Sequence, residues 1–150
     1  ENLTMNDIYT AIPHRPPFLF VDSIEEITEQ GIIAKRTVRP DEPHFEGHYP
    51  GNPLMPGVLL CETVFQTAAI YMSEKFGSAD GQQLTPVLVR IKEAKFKRMV
   101  RPGDNLQIEA TFEETVGKFQ FMRGRILVDG KPVMSVSFAL AMVDEQTAGA

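Results

Sequence analysis

One stretch limits what this chain can fold into more than any other. From Pro56 to Phe76 it is apolar on nearly every side until Ser73, Glu74 and Lys75. Pro56 suits the first turn of a helix and Gly77 suits its stop, so the stretch reads as a single helix, roughly 31 Å long. A helix that is apolar all round belongs inside a core rather than on its surface. The apolar run is interrupted by Glu62, Thr63, Gln66 and Thr67. It therefore falls short of the ~20 uninterrupted residues that cross a bilayer, and other elements of the chain must wrap around it.

Those other elements read as strands. Met5–Ile12 suits a short helix with Asn6 as its N-cap, ended by Pro13, Pro16 and Pro17. From Phe18 to Val38, apolar and polar residues intermix around Gly31, which predicts two strands and a turn. After Gly81, Pro86–Phe96 is β-rich and Arg101-Pro102-Gly103-Asp104 makes a turn. Asn105–Thr115 alternates, Gly117 breaks it, and Lys118–Val128 runs to the hairpin signal Asp129-Gly130. Lys131–Val143 is the last strand. The layout is α+β, two strands, a buried helix and four strands, with the sheet wrapped around the helix. With 150 residues and no repeat or linker, the chain reads as one domain over 1–150, with loose ends at 1–7 and 144–150.

Composition narrows the function. The net charge of −5 disfavours a nucleic-acid partner. The single cysteine, Cys61, excludes an internal disulfide and provides no metal-ligand spacing. No signal peptide or membrane span is evident, so a reducing, cytoplasmic setting is expected. One basic stretch stands out: Arg90, Lys92, Lys95, Lys97, Arg98 and Arg101, against Glu93 alone. It suits either an acidic partner or a guarded strand edge.

Glu62 is the only charge in the first half of the helix. A carboxylate on a buried helix must pair, face a cavity or take up a proton, and a carboxyl with a raised pKa serves as a general acid near neutral pH. A glutamate on one wet side of the helix would read the same. Gln66, at i+4, shares a face with Glu62 and Val58 and is placed to hold the carboxyl rotamer. His48 lies in Gly47-His48-Tyr49-Pro50-Gly51, within a loop from Arg39 to Pro56 stiffened by Pro40, Pro43, Pro50, Pro53 and Pro56. A fixed neutral imidazole is a competent base. Gly57 opens the helix, where its N–H has no internal partner and is free to polarise a carbonyl. His14, between Pro13 and Arg15, is expected in a structural or entrance role. Neither His44-x-Glu46-x-His48 nor Cys61 makes a convincing metal or thiol site. No phosphate-cradling glycine loop occurs, so no cofactor is expected.

The run Gly47-His48-Tyr49-Pro50-Gly51-Asn52-Pro53-Leu54-Met55-Pro56-Gly57-Val58-Leu59-Leu60-Cys61-Glu62 closely resembles the signature of bacterial 3-hydroxyacyl-(acyl-carrier-protein) dehydratases. Pro13-His14-Arg15-Pro16-Pro17-Phe18-Leu19-Phe20-Val21-Asp22 resembles that family's N-terminal motif. Lys95-Phe96-Lys97-Arg98 with Pro102-Gly103-Asp104 resembles a later one. The resemblance spans about Ile8 to Val143.

It implies a hotdog fold, in which a curved antiparallel sheet wraps the long helix. It also implies homodimers that share active sites, with His48 from one subunit and Glu62 from its neighbour, and often trimers of dimers. His48 would be the base at C2, Glu62 the acid toward the departing hydroxyl, and Gly57 the carbonyl-binding amide. The implied partner is acyl carrier protein bearing a phosphopantetheine-linked acyl chain, with the basic stretch Lys92, Lys95, Lys97, Arg98 and Arg101 as its docking patch. Glutamate at position 62 resembles the broad-range branch rather than the dehydratase–isomerase branch. Tyr49, Thr63, Arg90 and Met99 depart from residues common in the family. A hotdog thioesterase or a non-catalytic acyl-binding paralogue are the competing readings, and the intact His48…Glu62 interval speaks against both.

Overall fold

The computed structural model describes residues 5–76 and 84–144. The chain runs α1 (Met5–Ala11), β1 (Ser23–Ile27), β2 (Gly31–Thr37), a 3-10 turn (Pro43–Glu46) and α2 (Gly57–Phe76). It continues through β3 (Leu84–Phe96), β4 (Asn105–Val116), β5 (Phe119–Val128) and β6 (Lys131–Asp144). The six strands form one sheet in the order β1-β2-β4-β5-β6-β3, and every neighbouring pair is antiparallel. Helix α2 packs against β2, β3, β4, β5 and β6. This is the expected arrangement, a sheet wrapped around one helix.

The sheet accepts the helix closely because β5 carries a glycine at the crossing. A Cβ on Gly124 would collide with Val64 Cγ1, so a larger residue would require the helix or its side chain to shift. Around that contact Val64, Ala68, Ile70 and Met72 are buried against Ile108, Met122, Ile126 and Phe138. The helix is not sealed along its whole length, however. Val58 is 75% exposed, and Gly57, Leu59 and Glu62 are only partly buried. The first turn therefore projects from the sheet, and burial begins at Leu60.

Several local signals act as expected. Asp129 and Gly130 both take positive φ (52° and 76°), which is the two-residue hairpin geometry. Gly103 has φ 98° in a turn closed by Asp104 N–H to Arg101 C=O at 3.1 Å. Pro86 lies in β3, an edge strand, where a missing ladder donor is tolerated.

Some expectations move. Helix α2 starts at Gly57, and Pro56 stands just before it, accepting from Leu59 N–H at 3.0 Å. The proposed stop at Gly77 and the residue Gly81 lie outside the described residues. Residues 5–7, expected to be loose, belong to α1, and residue 144 closes β6. Phe18–Asp22 is not a strand, and two of its backbone groups are claimed by a helix side chain instead of a neighbouring strand. Phe20 N–H donates to Gln66 Oε1, and Phe18 C=O accepts from Gln66 Nε2, both at 2.8 Å.

Candidate active site

Gln66 organises the surroundings of Glu62. It is buried on α2, and its two backbone partners leave one orientation for its amide. The oxygen must face the Phe20 N–H and the nitrogen must face the Phe18 carbonyl. Only the nitrogen therefore remains to meet Glu62, and it donates to Glu62 Oε2 at 3.0 Å. The Glu62 side chain is 24% exposed, and His14 Nε2 lies 3.5 Å from the same oxygen. Glu62 thus takes neither of its extreme forms, a sealed carboxyl or a free surface charge. It is partnered and stands at the edge of the core.

His48 is held by the loop that precedes α2. Its Nδ1 lies 2.8 Å from the carbonyl oxygen of Leu54. A carbonyl can only accept, so Nδ1 carries the hydrogen and Nε2 presents the lone pair of a base. Its backbone N–H donates to His44 C=O at 3.1 Å. Tyr49 follows with φ 54°, a conformation that strains a bulky residue by about 1–3 kcal/mol. Its ring stands edge-on to His48 at 4.8 Å. Two further bonds pin the loop to the connection between β3 and β4: Met55 N–H to Val100 C=O at 2.7 Å, and Arg101 Nη1 to Asn52 Oδ1 at 2.6 Å.

A buried arginine that sequence reading missed stands beneath this loop. Arg36 is 2% exposed and pairs through Nη1 and Nη2 with the carboxylate of Glu42, which sits at the head of the 3-10 turn. Glu42 also accepts from Arg39 N–H at 2.6 Å, and its carbonyl accepts from Phe45 N–H. The Arg36 guanidinium lies over the Phe20 ring at 5.0 Å. Burial pushes its pKa down, while Glu42 pulls it back up. The signal was available, because alternation along β2 places Arg36 on the face of buried Ile32 and Ala34. His44 shares this corner, 3.5 Å from Glu42, and desolvation lowers its pKa, with Arg36 and His48 adding to the effect and Glu42 opposing it.

The remaining candidates divide. Gly57 begins α2 as expected, and the structure adds a steric reason for glycine there. A Cβ would come 3.1 Å from the Phe96 ring. Val58 points outward. Lys92, Lys95, Lys97, Arg98 and Arg101 are all exposed, but Lys95 pairs with Glu93 at 3.3 Å and Arg101 is engaged with the His48 loop. Among the described residues, no hydrogen bond or ion pair links His48 to Glu62 within the chain. No helix among them is long and apolar enough to cross a membrane.

A family model described as a FabA-like domain matches residues 12–137. The chain belongs to the FabA-like family. Similar curated members include a 3-hydroxyacyl-(acyl-carrier-protein) dehydratase FabZ from Clostridium perfringens, 38% identical over 140 residues and covering 93% of this chain and 99% of that protein. The FabZ of Klebsiella pneumoniae is also 38% identical, over 142 residues, covering 94% and 93%. Among solved structures, the dehydratase heterocomplex ApeI:P from Xenorhabdus doucetiae aligns with TM-score 0.76 at 15% identity, over 93% of this chain and 92% of that one. A hypothetical thioesterase with coenzyme A from Streptococcus pneumoniae aligns with TM-score 0.63 at 13% identity, over 93% of each chain. At such identities the structural matches speak for the hotdog fold alone, which dehydratases and thioesterases share. Within the FabA-like family match lie His14, Arg36, His48, Gly57, Glu62 and Gln66.

Proposed function

We propose that the chain removes water from a (3R)-3-hydroxyacyl thioester on acyl carrier protein, yielding the trans-2-enoyl thioester in fatty acid biosynthesis. The observation that carries this reading is the carboxyl of Glu62, held by Gln66 at the open end of a core helix, in a chain whose similar relatives are dehydratases of that class. In this reading each candidate residue has one task. His48 Nε2 takes a proton from C2, and the electron pair moves toward the thioester carbonyl, polarised by the Gly57 N–H at the positive end of α2. As that pair returns to form the C2=C3 bond, the C3 hydroxyl leaves with a proton from Glu62, as water.

His48 and Glu62 come together across two copies of the chain in this reading. Strand β3 is a 13-residue edge strand, and Val87, Leu88, Val89, Ile91 and Phe96 on it are 37–52% exposed. A long apolar edge left open to water would invite uncontrolled pairing, so a second β3 is the natural cover. Phe96 adjoins Gly57, which puts that cover beside the site. Dimers of this kind can assemble further into trimers of dimers. The basic residues Lys92, Lys95, Lys97 and Arg98 lie on β3 or directly after it and would attract the acidic carrier.

The deciding experiment follows the ultraviolet absorbance of the conjugated enoyl thioester, starting from 3-hydroxyacyl thioesters of several chain lengths. Appearance of that absorbance with no release of free thiol is the expected result. Thiol release without enoyl product would turn the assignment to a thioesterase. No turnover at any length would turn it to a non-catalytic paralogue.

A further inference from the structure

His14 lies outside the catalytic roles above, yet it is built into place beside the acid. Arg15 clamps the backbone around it, donating to Tyr9 C=O at 2.9 Å, Ile12 C=O at 2.9 Å and His14 C=O at 2.7 Å. The same guanidinium rests 4.4 Å from the centre of the Tyr9 ring. The imidazole lies nearly parallel to Phe18, with 17° between the planes, and Phe18 is itself tied to α2 through Gln66. The ring therefore has a fixed position, with Nε2 3.5 Å from Glu62 Oε2. Its other nitrogen, Nδ1, is buried with no hydrogen-bond partner among the described residues. A ring hydrogen is best placed where an acceptor can meet it, so the hydrogen belongs on Nε2 and points at Glu62.

We infer that His14 is a positioning residue for Glu62, acting with Gln66 to load one carboxyl oxygen with donors. Gln66 Nε2 and His14 Nε2 both address Oε2. An oxygen receiving two donors is the poor place for an acidic hydrogen, so the transferable proton sits on Oε1, the oxygen left to meet the C3 hydroxyl. The separation at His14 is long for a hydrogen bond. Catalytic hydrogen bonds are often long in unliganded sites and tighten in the substrate complex. The inference rests on the dehydratase reading for its catalytic consequence, but not for the contact itself.

The two parts are tested separately. For the contact, ring-nitrogen NMR of the folded chain should place the His14 hydrogen on Nε2, and Glu62→Gln should move that signal. An Nδ1–H tautomer, or a His14 signal indifferent to Glu62→Gln, overturns the inference whatever the chain catalyses. For the consequence, wild type, His14→Phe and His14→Gln are compared on a short 3-hydroxyacyl thioester, with melting temperatures measured alongside. Phenylalanine keeps a ring against Phe18 but removes the donor, and glutamine restores an N–H. The expected result is a kcat about 10–100-fold lower in His14→Phe, a part of what a general acid contributes, with KM within about twofold and most of kcat recovered in His14→Gln. Unchanged kcat in His14→Phe overturns the inference, as does an equal loss in both variants or a rise in KM alone. A wild-type chain that forms no enoyl thioester overturns the dehydratase reading instead.

Discussion

Gln66 joins the acid to the N-terminal segment: its Nε2 donates to Glu62 Oε2 at 3.0 Å and to Phe18 C=O at 2.8 Å, while its Oε1 accepts from Phe20 N–H at 2.8 Å. One side chain thus serves both the fold and the site, and its removal should damage both. Gln66→Leu leaves the buried Phe20 N–H without a partner, at about 1–3 kcal/mol, and also removes the donor to the part-buried Phe18 carbonyl. A chain of this size loses about 2–4 °C of melting temperature per kcal/mol. Thermal melts and kcat should therefore fall together in Gln66→Leu, whereas a loss of kcat with an unchanged melt would contradict the bridging role.

The proposed catalytic pair should behave differently. His48 and Glu62 both lie at the edge of the core, so His48→Ala and Glu62→Gln are expected to melt close to wild type. Each should lower kcat by about 10²–10⁴-fold. The double variant should be little worse than the poorer single one, because the two groups act in one step. Multiplying losses, measured by enoyl absorbance, would mean that they act independently.

The proposed carrier docking should leave a salt signature. Raising ionic strength from 0.1 M to 1 M shortens the screening length from about 10 Å to about 3 Å. Activity on carrier-bound substrate should fall more steeply than on a short thioester analogue, and reversing Lys97 and Arg98 should raise KM for the carrier-bound form only. Arg101 is the exception within the patch. It holds Asn52 of the His48 loop at 2.6 Å, so Arg101→Ala should also lower kcat on the short analogue. Equal salt sensitivity for both substrates would place docking elsewhere.

The open edge of β3 predicts a defined assembly. Introducing charge with Val89→Glu and Ile91→Glu, at positions 45% and 51% exposed, should shift sedimentation toward the single chain and remove activity with it. A fully active monomer would show that one chain holds a complete site.

His44 makes stability depend on pH in a stated direction. Desolvation lowers its pKa in the folded chain below the usual 6.5, so the unfolded chain binds the proton more readily. Its contribution is present above about pH 6.5 and is lost as pH falls toward the folded-state value. Melting temperature should accordingly rise with pH across that window, and His44→Phe should flatten the rise. The same slope in the variant would assign the dependence to another group.

Much of this could be read along the chain because the information is local. Apolar residues on every side of 58–72 predict a core helix, Asp129-Gly130 predicts its hairpin, and the prolines of 40–56 predict a stiff loop around His48. Glu62 stands out as a lone charge, and the interval from His48 to it carries the family resemblance. Phe18–Asp22 misled because its apolar pattern suits a strand, while its Phe18 carbonyl and Phe20 N–H are satisfied by Gln66, more than forty positions away. The approach of His14 to Glu62 and the burial of Arg36 against Glu42 also depend on segments meeting in space. Propensity and periodicity report what a residue prefers among its neighbours in sequence. Which distant groups satisfy its polar atoms is decided only when the sheet closes around the helix, because a buried donor or acceptor must take whichever partner the packing brings to it.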